Sequence, residues 1–186
     1  MYRNILLIVA LAAFLTLPAE AQTEQKVFRI GIIGLDTSHV TAFTSFINNP
    51  SKNTGCKVVA GYPGGSPDVS ASATRVEKFT QTLRDKYSVE IVDSIEQLCQ
   101  KVDGILLESV DGRPHLAQAR PVIAAKKPLF IDKPMAGNLA DVLEIFRLAE
   151  QNNVPCWSSS SLRYFPTIVE SKQKDEVGQV LGCDVF

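Results

Sequence analysis

Short apolar segments rich in β-branched residues alternate with longer helical segments along most of the chain. Such short runs are typical of buried strands, whereas an apolar residue at every third or fourth position is typical of a helix packed on one side. Strands and helices that alternate through short connections form a parallel sheet covered by helices on both faces. The sequence therefore predicts an α/β fold with a doubly wound parallel sheet.

The alternation gives six predicted strands and five predicted helices. We place the strands at residues 27–34, 57–62, 89–92, 104–107, 128–131 and 154–157. We place the helices at residues 37–49, 70–87, a short segment opened by the capping box of Ser94 and Gln97, 114–125 and 138–152. The last helix carries Leu139, Val142, Leu143, Phe146 and Ala149 on one face, which we expect to be buried.

The first predicted strand runs into Gly34 and then into a helix, which is the setting of the dinucleotide-binding motif G-x-G-x-x-G. The three glycine positions of that motif hold Gly34, Asp36 and His39. Because the second glycine lets the backbone approach a diphosphate, we expect Asp36 to add bulk and a negative charge facing the ligand. The second strand also lacks a terminal acidic residue for the ribose hydroxyls. The motif therefore predicts the fold more strongly than it predicts nucleotide binding.

Three predicted loops meet at the carboxyl ends of the strands, where ligands bind in such sheets. They span residues 35–39, 108–115 and 132–134. They contain both histidines and six charged residues, namely His39, His115, Asp36, Glu108, Asp111, Arg113, Asp132 and Lys133. The clustering predicts a functional site, although each histidine taken alone fits a capping or ordinary surface role better than a functional one.

The N-terminal residues have the pattern of a secretory signal peptide. Arg3 precedes an apolar run at residues 5–17, and the sequence Ala19-Glu20-Ala21 fits a cleavage site. We expect residues 1–21 to be removed and the protein to be exported by a Sec-type route to the periplasm or beyond. The alternative is an amphipathic or buried first helix.

Charge and cysteine content exclude some classes of function and leave others open. The formal net charge of −1 gives no reason to expect nucleic acid or an anionic membrane surface as a partner. Four cysteines (Cys56, Cys99, Cys156 and Cys183) allow three disulfide pairings in an exported protein. They lack the close spacings of metal sites, and buried free thiols are the alternative to disulfides.

Several segments resemble the glucose-fructose oxidoreductase and inositol dehydrogenase family (Gfo/Idh/MocA). The segment HLAQARPVIAAKKPLFIDKP, which begins at His115, has the layout of that family's H-x(16)-E-K-P segment, with Asp132, Lys133 and Pro134 at the Glu-Lys-Pro positions. The preceding VDGILLES is similar to the strand before it. SLRYFP is similar to the family's R-x-x-P segment, and EVGQV at residues 176–180 is similar to the start of its second domain.

The resemblance implies a Rossmann domain at residues 22–158 that binds NAD or NADP, and an incomplete second domain at residues 159–186. It implies a sugar-like substrate, with Lys133 between nicotinamide and substrate and Asp132 beside it. A lysine there stabilises a developing alkoxide. The residues expected near the cofactor are Gly34, Asp36, Thr37, Ser38, His39, Ser109, Asp111 and His115.

Two other interpretations remain open from the sequence. The first is an exported relative that has lost nicotinamide binding and serves as a carbohydrate- or metal-binding module or as a cofactor-free enzyme. A divalent metal would then use His39, His115, Glu108 and Asp111. The second is a truncated product that leaves a sheet edge open to a partner and so forms a homo-oligomer.

Overall fold

A computed structural model of the protein describes residues 26–171, 178 and 179. The predicted signal peptide and Cys183 lie outside the described residues. Of the predicted turn and strand at residues 176–180, only Gly178 and Gln179 are described. The signal peptide and the extent of the second domain therefore stay predictions.

The described residues form one six-stranded parallel sheet in the order β3-β2-β1-β4-β5-β6. The strands are β1 (Phe28–Ile33), β2 (Cys56–Tyr62), β3 (Glu90–Ile91), β4 (Gly104–Leu107), β5 (Leu129–Asp132) and β6 (Cys156–Ser159). The chain moves outward from β1 in one direction to β2 and β3, then crosses to β4 on the other side. The predicted doubly wound α/β fold is confirmed, and β1 and β4 flank the point where strand order reverses.

Seven α-helices connect and follow these strands in the described part of the chain. They are α1 (Ser38–Ile47), α2 (Ser70–Ala73), α3 (Val76–Tyr87), α4 (Ile95–Lys101), α5 (His115–Ala124), α6 (Leu139–Gln151) and α7 (Pro166–Ser171). Short 3-10 helices lie at Pro50–Lys52 and Ser161–Tyr164. Among the described residues, no helix is long and apolar enough to cross a membrane.

Alternation along β1 divides the core into two clusters, one on each face of the sheet. Ile33 belongs to the larger cluster, which includes Leu98 of α4 and Ile145 of α6. Ile30 and Ile32 belong to the smaller cluster beneath α1 and α3. Because successive side chains of a strand point to opposite faces, one apolar strand supplies both clusters.

Two predictions about helices were wrong. The predicted helix at residues 70–87 is divided into α2 and α3, because the side chain of Ser72 turns into the protein and the backbone leaves the helical conformation at Arg75. The predicted buried face of α6 is also incorrect in part, since Leu139 and Leu143 are 70% and 61% exposed. Ala149 of the predicted face is buried, and Ile145, which was not predicted, is buried with it.

Three cysteines are free thiols, as one of the two alternatives predicted. Cys99 is buried, and Cys56 and Cys156 are half-buried. Burial raises the pKa of both Cys99 and Cys156 to about 11, which keeps these thiols protonated and unreactive.

Gly34 ends β1 in a left-handed conformation (φ 85°) and lies against the loop after β4. A Cβ atom at this position would stand 2.3 Å from the amide nitrogen of Ser109. The loops after β1 and β4 therefore approach each other so closely that only glycine fits between them.

We predict that Gly34→Ala destabilises the protein more than Gly55→Ala does. Both glycines have positive φ, but a Cβ atom at Gly55 would meet nothing within 4 Å. Each substitution incurs about 1–2 kcal/mol of backbone strain, and Gly34→Ala adds about 1–3 kcal/mol of overpacking. Urea unfolding followed by circular dichroism measures the difference. Equal losses for the two variants would contradict the close packing of these loops.

Candidate functional site at the carboxyl ends of the strands

The carboxylate of Asp36 is turned into the protein and away from solvent. The residue is fully buried, and its Oδ1 accepts a hydrogen bond from the amide of Val110 at 2.9 Å. Its Oδ2 accepts the hydroxyl of Ser72 at 2.6 Å, and that hydroxyl oxygen accepts the amide of Ser66 at 2.8 Å. The expectation that Asp36 faces a diphosphate was therefore wrong, because both of its oxygens hold neighbouring loops together.

Asp111 also takes part in a connection between loops. Its carboxylate pairs with Arg113 at 2.7 Å, and the other side of the same guanidinium bonds Asp68 in the segment after β2. These hydrogen bonds and the positive charge hold the pKa of Asp111 well below its usual range. The carboxylate of Asp111 is thus held in an ion pair with Arg113.

His115 joins the loops after β4 and β5. The residue is fully buried, with Nε2 2.9 Å from the carbonyl oxygen of Ser109 and Nδ1 3.1 Å from that of Met135. Ser109 is also buried, and its hydroxyl donates to Oε1 of Gln118 at 2.9 Å. Both side chains support the edge of the sheet and have no polar group left for a cofactor.

His39 and Asp132 form a hydrogen-bonded pair although they are 93 residues apart in sequence. Nδ1 of His39 lies 2.5 Å from Oδ2 of Asp132, and Oδ1 of Asp132 accepts the amide of Lys133 at 2.8 Å. The aspartate side chain is 5% exposed and the histidine side chain is 30% exposed. The contact fixes the first turn of α1 beside the end of β5.

Glu108 is a buried carboxyl group without a hydrogen-bond partner among the described residues. It follows β4 and is fully buried. Burial raises its pKa well above the ordinary value of 4.5, and the negative charge of Asp132 raises it further. Both effects favour the protonated, uncharged form of Glu108.

The amides at the start of α1 remain available for an anion. The amides of Gly34 and Leu35 donate to the carbonyls of Tyr62 and Pro63 at 3.0 and 2.8 Å. Within the described part of the chain, the amides of Thr37 and Ser38 have no such acceptor, and Ser38 is exposed. Thr37 caps the helix by accepting the amide of His39 on its hydroxyl. A helix N-terminus with free amides favours phosphate.

Lys133 lies at the same edge and is exposed. It follows Asp132 directly, and among the described residues its ammonium group forms no ion pair within 4.0 Å. The lysine is therefore free to interact with a ligand at the end of β5.

An aromatic cleft, which sequence reasoning missed, opens beside the His39–Asp132 pair. It has a volume of about 310 Å³. Its walls are formed by residues of α1, β5, β6 and the segment after β6, namely His39, Phe43, Phe130, Asp132, Trp157, Ser159, Ser160, Ser161 and Tyr164. Spacing could have revealed part of it, because Phe43 follows His39 by one helical turn and Phe130 pairs with Trp157 in register.

The described residues do not support the alternative of a metal site. No group of three or more His, Cys, Asp or Glu side chains within them could hold a metal ion. Of the four ligands considered, His115 contacts two carbonyls, Asp111 pairs with Arg113 and His39 pairs with Asp132. Glu108 is buried, forms no hydrogen bond among the described residues, and belongs to no group of three such side chains.

Comparison with known proteins agrees with a nucleotide-binding fold of the Rossmann class. The model of the family GFO_IDH_MocA, described as an oxidoreductase family with an NAD-binding Rossmann fold, matches residues 28–160. The chain therefore belongs to the Gfo/Idh/MocA oxidoreductase family. No curated protein is similar enough in sequence to count as a match.

Solved structures with a similar fold include three dehydrogenases or oxidoreductases. Scyllo-inositol dehydrogenase from Lactobacillus casei, with NAD(H) and scyllo-inositol bound, has a TM-score of 0.63 and 21% identity, covering 82% of this chain and 43% of that one. An oxidoreductase from Agrobacterium radiobacter, in complex with NAD+, L-tartaric acid and magnesium, has a TM-score of 0.63 and 18% identity, covering 82% and 41%. A dehydrogenase from Clostridium difficile has a TM-score of 0.62 and 21% identity, covering 78% and 43%. The chain thus spans about two fifths of each of these structures, and the likeness shows the shared fold.

We predict that Glu108→Gln becomes more stable relative to the unsubstituted protein as the pH rises. In the unfolded chain Glu108 ionises above its ordinary pKa of 4.5, whereas the folded protein keeps the proton. The stability due to this group is therefore complete below pH 4.5 and is lost as the pH rises through the raised, folded-state pKa. Glutamine has no such titration, so its advantage should reach about 1 kcal/mol or more at pH 8.

Urea unfolding between pH 4 and pH 8 measures this difference. The exposed Glu96→Gln serves as a matched control and should change stability by less than about 0.5 kcal/mol throughout. A constant difference between Glu108→Gln and the unsubstituted protein at every pH would contradict the assignment of Glu108 as a buried acid.

Proposed function

We propose that this chain is the nucleotide-binding part of an NAD(P)-dependent oxidoreductase that acts on a hydroxyl group of a sugar or polyol. The observation that carries the proposal is the hydrogen bond between His39 and Asp132. It joins the N-terminus of α1, which favours phosphate, to the loop that holds Lys133. A dinucleotide and the substrate carbon need these two features next to each other.

The residues present fit a dinucleotide, although not through the whole glycine turn. Diphosphate binding is supported by the amides of Thr37 and Ser38 and by the dipole of a helix of ten residues. Both oxygens of the buried Asp36 carboxylate accept hydrogen bonds within the protein, so neither oxygen is left to face a ligand at that helix end. After β2, Asp68 is paired with Arg113.

Lys133, whose side chain is exposed after the end of β5, suits the chemistry of alcohol oxidation. When bound, a nicotinamide dinucleotide supplies the hydride acceptor. The ammonium group of Lys133 would lie beside the reacting hydroxyl and stabilise negative charge as it develops on oxygen. The amide hydrogen bond from Lys133 to Asp132 holds the start of this loop in place.

The aromatic cleft supports a small ring-shaped substrate. Its lining combines aromatic side chains with a few polar residues, among them Asp132, Ser159 and Ser160. Clefts of this size with apolar walls and a few placed polar groups are typical of small-molecule sites. The scyllo-inositol bound to the Lactobacillus casei enzyme is a ligand of this kind.

A second candidate is a family member that binds its substrate without nicotinamide. One observation favours it, which is that the amides of Gly34 and Leu35 are already bonded to Tyr62 and Pro63. Calorimetric titration of NAD+ and NADP+ into the purified chain separates the two candidates, since heat of binding from neither nucleotide would favour the second.

We predict that Ser38→Pro weakens dinucleotide binding at least tenfold, whereas Ser38→Ala leaves it nearly unchanged. Ser38 is the first residue of α1, a position that accepts proline, and Thr37 before it has the extended backbone (φ −127°, ψ 155°) that proline requires. Proline therefore removes one amide N–H and leaves the fold intact.

Calorimetry with NAD+ measures both variants, and thermal unfolding confirms that each is folded. Equal affinity for Ser38→Pro and Ser38→Ala would show that the diphosphate does not bind at the N-terminus of α1.

A further inference from the structure

The geometry of His39 is that of a general base oriented by a carboxylate. Because Nδ1 lies 2.5 Å from Asp132, this nitrogen carries the ring proton in the neutral imidazole. Nε2 is then the unprotonated nitrogen, and among the described residues it has no hydrogen-bond partner. Catalytic histidines in other folds are oriented by a buried aspartate in the same way.

Asp132 has few hydrogen-bond partners among the described residues. Glu108 is buried nearby and favours the uncharged form, so it does not compete for the positive charge that develops on His39. Lys133 follows Asp132 but is exposed, and only its backbone amide bonds the aspartate. The carboxylate therefore has one titratable hydrogen-bond partner, which is His39.

The position of the ring allows contact with a ligand. His39 lines the aromatic cleft and its side chain is 30% exposed, whereas the side chain of Asp132 is nearly buried. The imidazole packs against Phe43, with ring centroids 5.5 Å apart. Phe130 continues the same wall, with its ring centroid 6.5 Å from that of Phe43. Trp157 follows, with its ring centroid 6.0 Å from that of Phe130. These contacts hold the imidazole against the aromatic wall of the cleft, where the His39 side chain stays partly exposed.

We propose that His39 is a catalytic residue that accepts the proton of a substrate hydroxyl on Nε2, with Asp132 as its positioning residue. The substrate class and the oxidant in this proposal rest on the function proposed above. The O–H bond of a secondary alcohol breaks and its proton goes to Nε2. The C–H bond breaks, its electron pair leaves as hydride to an oxidised nicotinamide dinucleotide, and a C=O bond forms.

Nuclear magnetic resonance of the protein labelled with ¹⁵N-histidine tests the first part of this proposal. The chain has only two histidines, so His39→Gln assigns both sets of ring signals. We expect Nδ1 of His39 to be protonated and Nε2 to be unprotonated in the neutral ring. Asp132→Asn should shift the population toward the other tautomer, because the asparagine amide can donate a hydrogen bond to Nδ1.

Asp103→Asn provides a matched control. Asp103 likewise pairs with one basic side chain, that of Arg29, but it lies just before the amino end of β4. The Asp103→Asn substitution should leave the His39 signals unchanged. A protonated Nε2 in the unsubstituted protein, or an unchanged tautomer in folded Asp132→Asn, would overturn the proposal. If Asp132→Asn does not fold, the His39 tautomer in the unsubstituted protein still decides whether the proposal holds.

Titration with scyllo-inositol, with and without NAD+ or NADP+, tests the second part. Trp157 is the only tryptophan of the chain and lines the cleft, so its fluorescence reports binding there. We expect the polyol to change this fluorescence and to shift the Nε2 signal of His39. We expect His39→Gln to weaken the affinity for the polyol at least threefold.

The outcomes separate this proposal from the oxidoreductase function. A polyol that shifts Nε2 while neither nucleotide binds would contradict the oxidoreductase and support the proton-accepting pair. Nucleotide binding together with a polyol that leaves Nε2 unshifted, or no polyol response at Trp157 and His39, would overturn the role of His39.

Discussion

The buried carboxylate of Asp36 is the interaction on which the edge of this sheet depends. It lies where a dinucleotide motif normally has glycine, and it accepts hydrogen bonds from the amide of Val110 and the hydroxyl of Ser72. Through these donors the loop after β1 is tied to the loop after β4 and to the segment after β2. A buried carboxylate is stable only when donors such as these compensate its lost hydration.

This arrangement divides the predicted site residues into two groups. Gly34, Asp36, Ser109, Asp111 and His115 form the supporting framework, because their polar groups are bonded within the protein or their space is filled. The residues that a ligand can reach are Ser38, His39 and Lys133, together with the aromatic cleft. The framework thus places the N-terminus of α1, an imidazole and an ammonium group along one edge.

The sequence predicted the fold well because strand and helix patterns are local. All six strands lie within two residues of their predicted ends, and the predicted cap at Ser94 forms. Long-range contacts could not be predicted. Nothing in the spacing of His39 and Asp132 shows that they touch. The charge of Asp36 predicts an exposed side chain, because its donors come from residues distant in sequence. Periodicity also failed to choose the buried face of α6, which carries apolar residues on more than one side.

The affinity of Asp36→Asn for NAD+, compared with that of the unsubstituted protein, tests the central claim most directly. The substitution removes the negative charge and keeps the shape of the side chain. Because that charge is buried between Ser72 and Val110, we expect the dissociation constant to change less than about threefold, while stability falls by about 1–3 kcal/mol through the lost hydrogen bonds. An affinity that rises tenfold or more would contradict the account, since it would show that Asp36 faces and repels the diphosphate.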